Sequence, residues 1–246
     1  AVSHLVPLSL YTLRMTSALV GVATLPALYG LVRECLDEPT AVLATWLLAV
    51  NKWHLVLSRS GYRVSLLPLL AVLVLYGLAR GLRRGSARDW AWTGLFLGLG
   101  LWTYKAFTVA VPLAVGLVLL KAASGWIRRG RSAPADAWPG STRRLLAGLG
   151  LLLLMGGIVA LPMVRLVVES PDVYLARELQ GARLVNESLA EADMNRVELY
   201  GQSAVTSLLM FNYEGDGNSR FGVPFQRHLG WVSGALLIAG LAMAVG

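Results

Sequence analysis

Residues 90–120 read WAWTGLFLGLGLWTYKAFTVAVPLAVGLVLL, apolar throughout except at Thr103-Tyr104-Lys105 near the middle. As one helix this run would be about 45 Å long at ~1.5 Å per residue, too long for a single crossing of a ~30 Å hydrocarbon layer. It would also hold a lysine at mid-bilayer, at a cost of roughly 2.5–3.5 kcal/mol. Two helices meeting at Tyr104-Lys105 remove both problems. Arg80, Arg83, Arg84 and Arg88 precede the run, and Lys121, Arg128, Arg129, Arg131, Arg143 and Arg144 follow it. Both basic segments then lie on one side, which the positive-inside bias makes the cytoplasm, so the tip at Tyr104-Lys105 is expected to point outward.

The rest of the chain agrees with this class. It is 56% hydrophobic and 15% charged, and near-spanning apolar runs recur along it. The expected fold is all-α, a polytopic transmembrane bundle of about seven spans with a small helical extracytoplasmic cap. The core is residues 1–165, with spans near 13–32, 41–57, 64–79, 90–104, 106–120 and 145–164. The cap is 166–227, and a further span starts at 228–246. Pro26 is a kink point in the first span, and the second bends through Asn51-Lys52-Trp53-His54. Glycines in the sixth allow close approach to a neighbour. Within the cap, Ser170-Pro171-Asp172 reads as a helix start, and a second helix is expected from about Met194 to Met210, with Val197, Tyr200, Ala204, Val205 and Leu208 on one face.

A net charge of +8 would suggest nucleic acid in a soluble chain. Here eleven Lys/Arg lie in expected inner loops, against three in short outer loops (Arg59, Arg63, Lys105), so topology accounts for the charge and no nucleic-acid partner is expected. The single cysteine, Cys35, allows no internal disulfide and no cysteine-based metal cluster. The chain starts at Ala1 and stops at Gly246 inside an apolar run, so both ends are expected to be cuts in a longer protein.

Three places carry candidate chemistry. Around the second outer turn, Arg59 and Arg63 with His54 and Lys52 could hold a lipid phosphate; interfacial anchoring explains the same residue types. Tyr104 and Lys105 place a phenol and a cation at the outer mouth, or simply make a water-soluble turn. Trp90, Trp92 and Trp102 read as interface anchors. Asn212, Tyr213 and Asp216 lie in Phe-Asn-Tyr-Glu-Gly-Asp-Gly-Asn. Its spaced oxygens hint at a calcium loop, but the terminal glutamate of that pattern is missing and turn chemistry suffices. Asn186-Glu187-Ser188 matches a glycosylation sequon. No Gly-rich phosphate loop, nucleophile elbow, zinc-protease helix or Cys/His cluster occurs, and no metal ligands are assigned.

Four spaced segments, RMTSALVGVATLPALYGLVRE, LLAVNKWHLVLSRSGYR, GLFLGLGLWTYKAF and SLLMFNYEGDGNSRFGVP, resemble bacterial membrane glycosyltransferases of the GT-C type. These are the phospholipid-carrier-dependent (family 39) enzymes related to protein O-mannosyltransferases and the aminoarabinose transferase of lipid A. The resemblance implies an enzyme of the bacterial inner membrane. It would pass a sugar from a polyprenyl-phosphate donor to a protein, lipid or glycan acceptor on the periplasmic or exterior face. It also implies a catalytic aspartate in an outer loop upstream of Ala1, so no catalytic residue is carried over. Arg59, Arg63, Lys105 and Arg220 are the expected cations for the departing lipid phosphate; His54, Tyr104, Asn212, Tyr213 and Asp216 complete the expected substrate-binding set. A divalent metal ion is left open as cofactor. The alternatives are a transporter or flippase for lipid-linked or anionic solutes, and a non-catalytic membrane subunit.

Overall fold

The computed structural model describes residues 10–129, 142–171, 176, 180, 195–215 and 225–245. The described helices are α1 (Leu10–Cys35), α2 (Glu38–Ala49), α3 (Lys52–Arg59), α4 (Leu66–Arg84), α5 (Ala87–Thr103), α6 (Ala110–Arg129), α7 (Thr142–Glu169), α8 (Arg196–Asn212) and α9 (Trp231–Val245), with 3₁₀ turns at Arg63–Ser65 and Lys105–Val109. No strand occurs among the described residues, only an isolated bridge between Glu214 and Gln226. The all-α class is as expected.

The count of seven spans is not. Among the described residues, four helices are long and apolar enough to cross a membrane: Leu10–Cys35, Arg63–Arg84, Lys105–Ser124 and Thr142–Glu169. A fifth is reached only by counting α2 and α3 as one span, and they bend by 58°. The physical reason is length. Helix α5 has 17 residues, about 25 Å at ~1.5 Å each, and begins with Arg88 and Asp89. Helix α9 has 15.

Local chemistry explains the element boundaries. Asp37 caps α2, accepting from the Thr40 N–H at 2.8 Å. At the α2–α3 bend, the His54 N–H donates to Asn51 Oδ1 at 3.1 Å. Gly85 ends α4 in the left-handed region (φ 66°), where a Cβ is disfavoured. The expected break in the long apolar run is where the sequence put it. Helix α5 stops at Thr103, whose hydroxyl turns back onto the Gly100 carbonyl at 2.7 Å, and Tyr104 is extended (φ −153°, ψ 140°). The following turn folds Phe107 against Gly100, where a Cβ would collide with the ring.

By contacts the chain divides into two compact units, one of Ala1–Val50 and Leu57–Leu161, the other of Asn51–Val56 and Pro162–Gly246. The first has a core of Leu70, Val74 and Leu78 (α4), Trp90 and Leu97 (α5), Phe107, Ala114 and Val118 (α6), and Leu149 and Leu152 (α7). Trp90 is 1% exposed, so it is not an interface anchor: it fills a slot between Gly81 and Gly148, where added Cβ atoms would meet its ring. Trp92 and Trp102 do stay exposed. Gly94 and Gly98 bring α5 against Leu152, Gly156 and Val159 of α7, the small-residue packing that apolar helices use in lipid.

The two ends of this unit differ. At one, Arg80 pairs with Asp89 (3.0 Å), Arg84 with Glu34 (2.5 Å) and Arg33 with Glu38 (3.7 Å), tying α1, α2, α4 and α5 together. At the other, Ser65 Oγ meets Ser17 Oγ at 3.2 Å, and Gly61 (φ 70°) turns the chain beside Leu13 and Arg14.

In the second unit, α8 opens on a reciprocal cap: the Glu198 N–H donates to Asn195 Oδ1 (2.9 Å) and the Asn195 N–H to Glu198 Oε2 (3.0 Å). Its other end is tied to the residues before α9, with the His228 N–H donating to Met210 O (3.2 Å) and the Leu229 N–H to Phe211 O (2.9 Å).

Candidate functional site

Each unit holds one cavity worth building from its residues. In the first, Tyr11, Arg14, Met15 and Ala18 of α1 and Arg59 at the end of α3 line an open groove of about 500 Å³. The α1 residues recur at i, i+3, i+4 and i+7, so a single helix face supplies them. Two guanidiniums therefore border a wall that is otherwise apolar or aromatic. Among the described residues no carboxylate pairs with Arg14, Arg59 or Arg63. A guanidinium presents planar paired N–H donors suited to phosphate oxygens, and the Met15–Ala18 wall suits a hydrocarbon chain attached to them.

In the second unit, Lys52, Tyr213, Phe225, Gln226, Arg227, His228, Leu229 and Gly230 line a cavity of about 500 Å³. The Lys52 ammonium donates to Gln226 Oε1, which fixes one of its three N–H bonds and leaves two directions for other acceptors. The Arg227 guanidinium lies 3.5 Å from the Trp231 ring centroid, a stacking that uses the face of the cation and leaves its N–H edge available. The His228 ring tilts against Trp53, centroids 5.8 Å apart. Phe225 adopts φ 61°, a strained conformation for a residue with a Cβ. Gly215 faces the Gln226 carbonyl so closely that a Cβ there would collide with it. No acidic residue lines this cavity among the described residues.

Of the candidates read from sequence, Arg59 reaches the first cavity, and Lys52 and Tyr213 reach the second. His54 is buried, 7% exposed, and lines neither. Arg63 opens the 3₁₀ turn after α3, and Tyr104 and Lys105 lie exposed at the α5–α6 break; none of the three lines either cavity. The Asn212 side chain packs against Gly234, where a Cβ would strike its Oδ1, so it joins α8 to α9. Asp216 and Arg220 lie outside the described residues, as do Asn186-Glu187-Ser188 and most of the helix expected after Ser170. No group of three or more His, Cys, Asp or Glu side chains that could hold a metal ion occurs among the described residues.

Sequence reasoning did not single out Arg14, Gln226, Arg227 or His228 as site residues. Arg14 carried a signal, a cation at the edge of an apolar run at helical spacing from Tyr11 and Ala18. His228 lies three residues before α9, which begins at Trp231.

A bundle of apolar, span-length helices defines a polytopic membrane protein, here with cations at the rim of a largely apolar groove. The chain matches the dolichyl-phosphate-mannose-protein mannosyltransferase family over residues 3–132 and belongs to it; it is a mannosyltransferase-like membrane glycosyltransferase. Such an activity requires a lipid-linked sugar donor and an acceptor. The match covers Arg14, Lys52, His54, Arg59, Arg63, Tyr104 and Lys105, and ends before the Tyr213–Gly230 wall of the second cavity. No curated relative and no solved structure matches the chain.

Proposed function

We propose that this protein transfers a sugar from a polyprenyl-phosphate carrier to a protein, lipid or glycan acceptor on the extracytoplasmic face of the membrane, in the manner of GT-C enzymes. The observation that carries this reading is the groove bordered by Arg14 and Arg59 over Met15 and Ala18. Nucleotide-sugar donors have no hydrocarbon tail to use such a wall; a polyprenyl phosphate has both parts.

In the proposed reaction an acceptor oxygen attacks the anomeric carbon. The bond from that carbon to the phosphate oxygen breaks, and the electron pair leaves on the lipid phosphate. A base takes the acceptor proton, and cations stabilise the charge growing on the phosphate. Arg14 and Arg59 serve the second role, with Arg63 and Lys105 adding positive potential. Lys52, Tyr213 and His228 offer hydrogen-bonding and aromatic surface for a sugar or the polar part of an acceptor. Asp216 and Arg220 are kept in the substrate-binding set on their sequence alone, and residues 166–227 are taken as an extracytoplasmic cap. The sidedness rests on the excess of Lys/Arg in the opposite loops.

The test is reconstitution in vesicles with a polyprenyl-phosphate sugar labelled in the sugar. The expected result is label on the acceptor with release of free carrier phosphate, reduced tenfold or more by Arg14→Gln or Arg59→Gln, in line with about 1.5–3 kcal/mol for a charged hydrogen bond. Transport of the intact donor without bond cleavage, or transfer from a soluble nucleotide sugar alone, would overturn the proposal. Sidedness is checked in a Cys35→Ser background: Ser60→Cys should react with impermeant thiol reagent from the outside, and Arg88→Cys only from the inside.

A further inference from the structure

Helix α8 presents an apolar face that the rest of the described chain leaves uncovered. Val197 is 81% exposed, Tyr200 62%, Val205 56% and Leu208 70%, and at 100° per residue these four fall within one side of the helix. Gln202 and Thr206 lie on the other, Glu198 lies at the boundary beside Val205, and Leu209, 49% exposed, sits between Glu198 and Gln202. From Leu199 to Asn212 no residue is charged, unusual for a helix surrounded by water on every side. The reciprocal cap at Asn195 and Glu198 satisfies the N–H groups of those two residues from within the helix itself.

Its C-terminal end is anchored. Two backbone bonds join Met210 and Phe211 to His228 and Leu229, and Asn212 packs on Gly234 in α9. Helix α9 is uncharged, with Trp231, Val232, Ile238 and Leu241 all exposed, a surface whose natural solvent is lipid. At its start the Arg227–Trp231 stack pairs the two residue types that favour headgroup depth. Helix α8 therefore departs from the level at which α9 would meet a membrane surface.

We infer that α8 lies in the lipid headgroup layer, with Val197, Tyr200, Val205 and Leu208 turned into the acyl chains, Gln202 and Thr206 turned to water, and Glu198 at the boundary. The bilayer fits this face better than a second copy of the chain does. The four side chains expose on the order of 500 Å², below the ~800 Å² per partner of a stable protein interface, whereas an amphipathic helix on lipid needs only apolar area continuous with the membrane.

The experiment places nitroxide labels in the Cys35→Ser protein, at Val197→Cys, Glu198→Cys, Gln202→Cys, Val205→Cys, Thr206→Cys and Leu208→Cys. The full chain is reconstituted in phosphatidylcholine–phosphatidylglycerol vesicles, and collision with oxygen is compared with collision with a water-soluble nickel chelate. Labels at 197, 205 and 208 should favour oxygen severalfold over those at 202 and 206, with 198 between. Adding Leu208→Asp should shift the label at 205 toward nickel. Nickel access at all six positions would overturn the inference, and so would shielding of 197, 205 and 208 from both reagents, which would mean a protein partner covers the face. The readout does not depend on sugar transfer, so it separates this inference from the proposed reaction.

Discussion

At one end of the first unit, arginines meet carboxylates from neighbouring helices: Arg80 with Asp89, Arg84 with Glu34, Arg33 with Glu38. At the other end, Arg14, Arg59 and Arg63 meet none among the described residues, and two of the three border a groove with an apolar wall. The residue types are the same; the surroundings differ. A guanidinium already held by a carboxylate, like Arg80 between Asp89 and the Tyr76 hydroxyl, has its charge largely offset and fewer N–H donors left for a second anion. One facing a cavity without a carboxylate can take an anion directly. An arginine therefore points to a ligand only once its partners are known.

The largest expected effect tests the groove end. Arg59→Glu should lower transfer from a polyprenyl-phosphate sugar by about 100-fold, on the order of 3 kcal/mol, because it adds repulsion to the lost hydrogen bonds. Membrane insertion and thermal stability should hold; transfer rates alongside an unfolding curve decide it, and undiminished transfer would remove Arg59 from the site.

The paired end should respond the other way. Asp89→Ala leaves Arg80 without its carboxylate, and since Arg80 is about one-third exposed the cost should be about 2 kcal/mol, below that of a fully buried pair. Thermal unfolding should show the loss while transfer per folded molecule stays constant; a fall in donor affinity instead would mean this end also binds substrate.

A smaller effect sharpens the contrast from the groove side. Ser17→Ala removes the hydrogen bond from Ser65 and should cost about 0.6 kcal/mol, typical of one polar contact between membrane helices. Any larger loss of transfer than of stability would show that the bond positions the 59–65 turn beside Arg14.

The smallest effect is one of pH. Hydrogen bonds from Thr40, its hydroxyl first and its backbone N–H second, hold the Asp37 carboxyl below the usual carboxylate range. A carboxyl depressed in the folded state stabilises the fold above its unfolded pKa of about 3.9, and that contribution is lost as pH falls through the folded value. Unfolding midpoints of the native chain and Asp37→Ala should differ at neutral pH and converge under acid; a constant difference would reject the cap as an ionised one.

Much of this molecule could be read along the chain because the deciding forces are local. The break at Tyr104-Lys105, the bend at Asn51 and helix α8 all follow from hydropathy, a lysine that lipid will not hold, and side chains that bond backbone within four residues. The all-helical membrane class follows from composition alone.

What the sequence could not decide depends on residues far apart. Trp90 has the look of an interface anchor until Gly81 and Gly148, on two other helices, close around it. The number of spans failed because hydropathy counts apolar residues, while a crossing also needs unbroken length. Lys52 and Gln226 meet although 174 positions separate them, and Arg14 shares a groove with Arg59 only because the left-handed turn at Gly61 returns the chain beside α1. Periodicity says which face of a helix is apolar or charged; which other face it meets is set by how the helices pack, and that is where a cation becomes either a brace or a binding group.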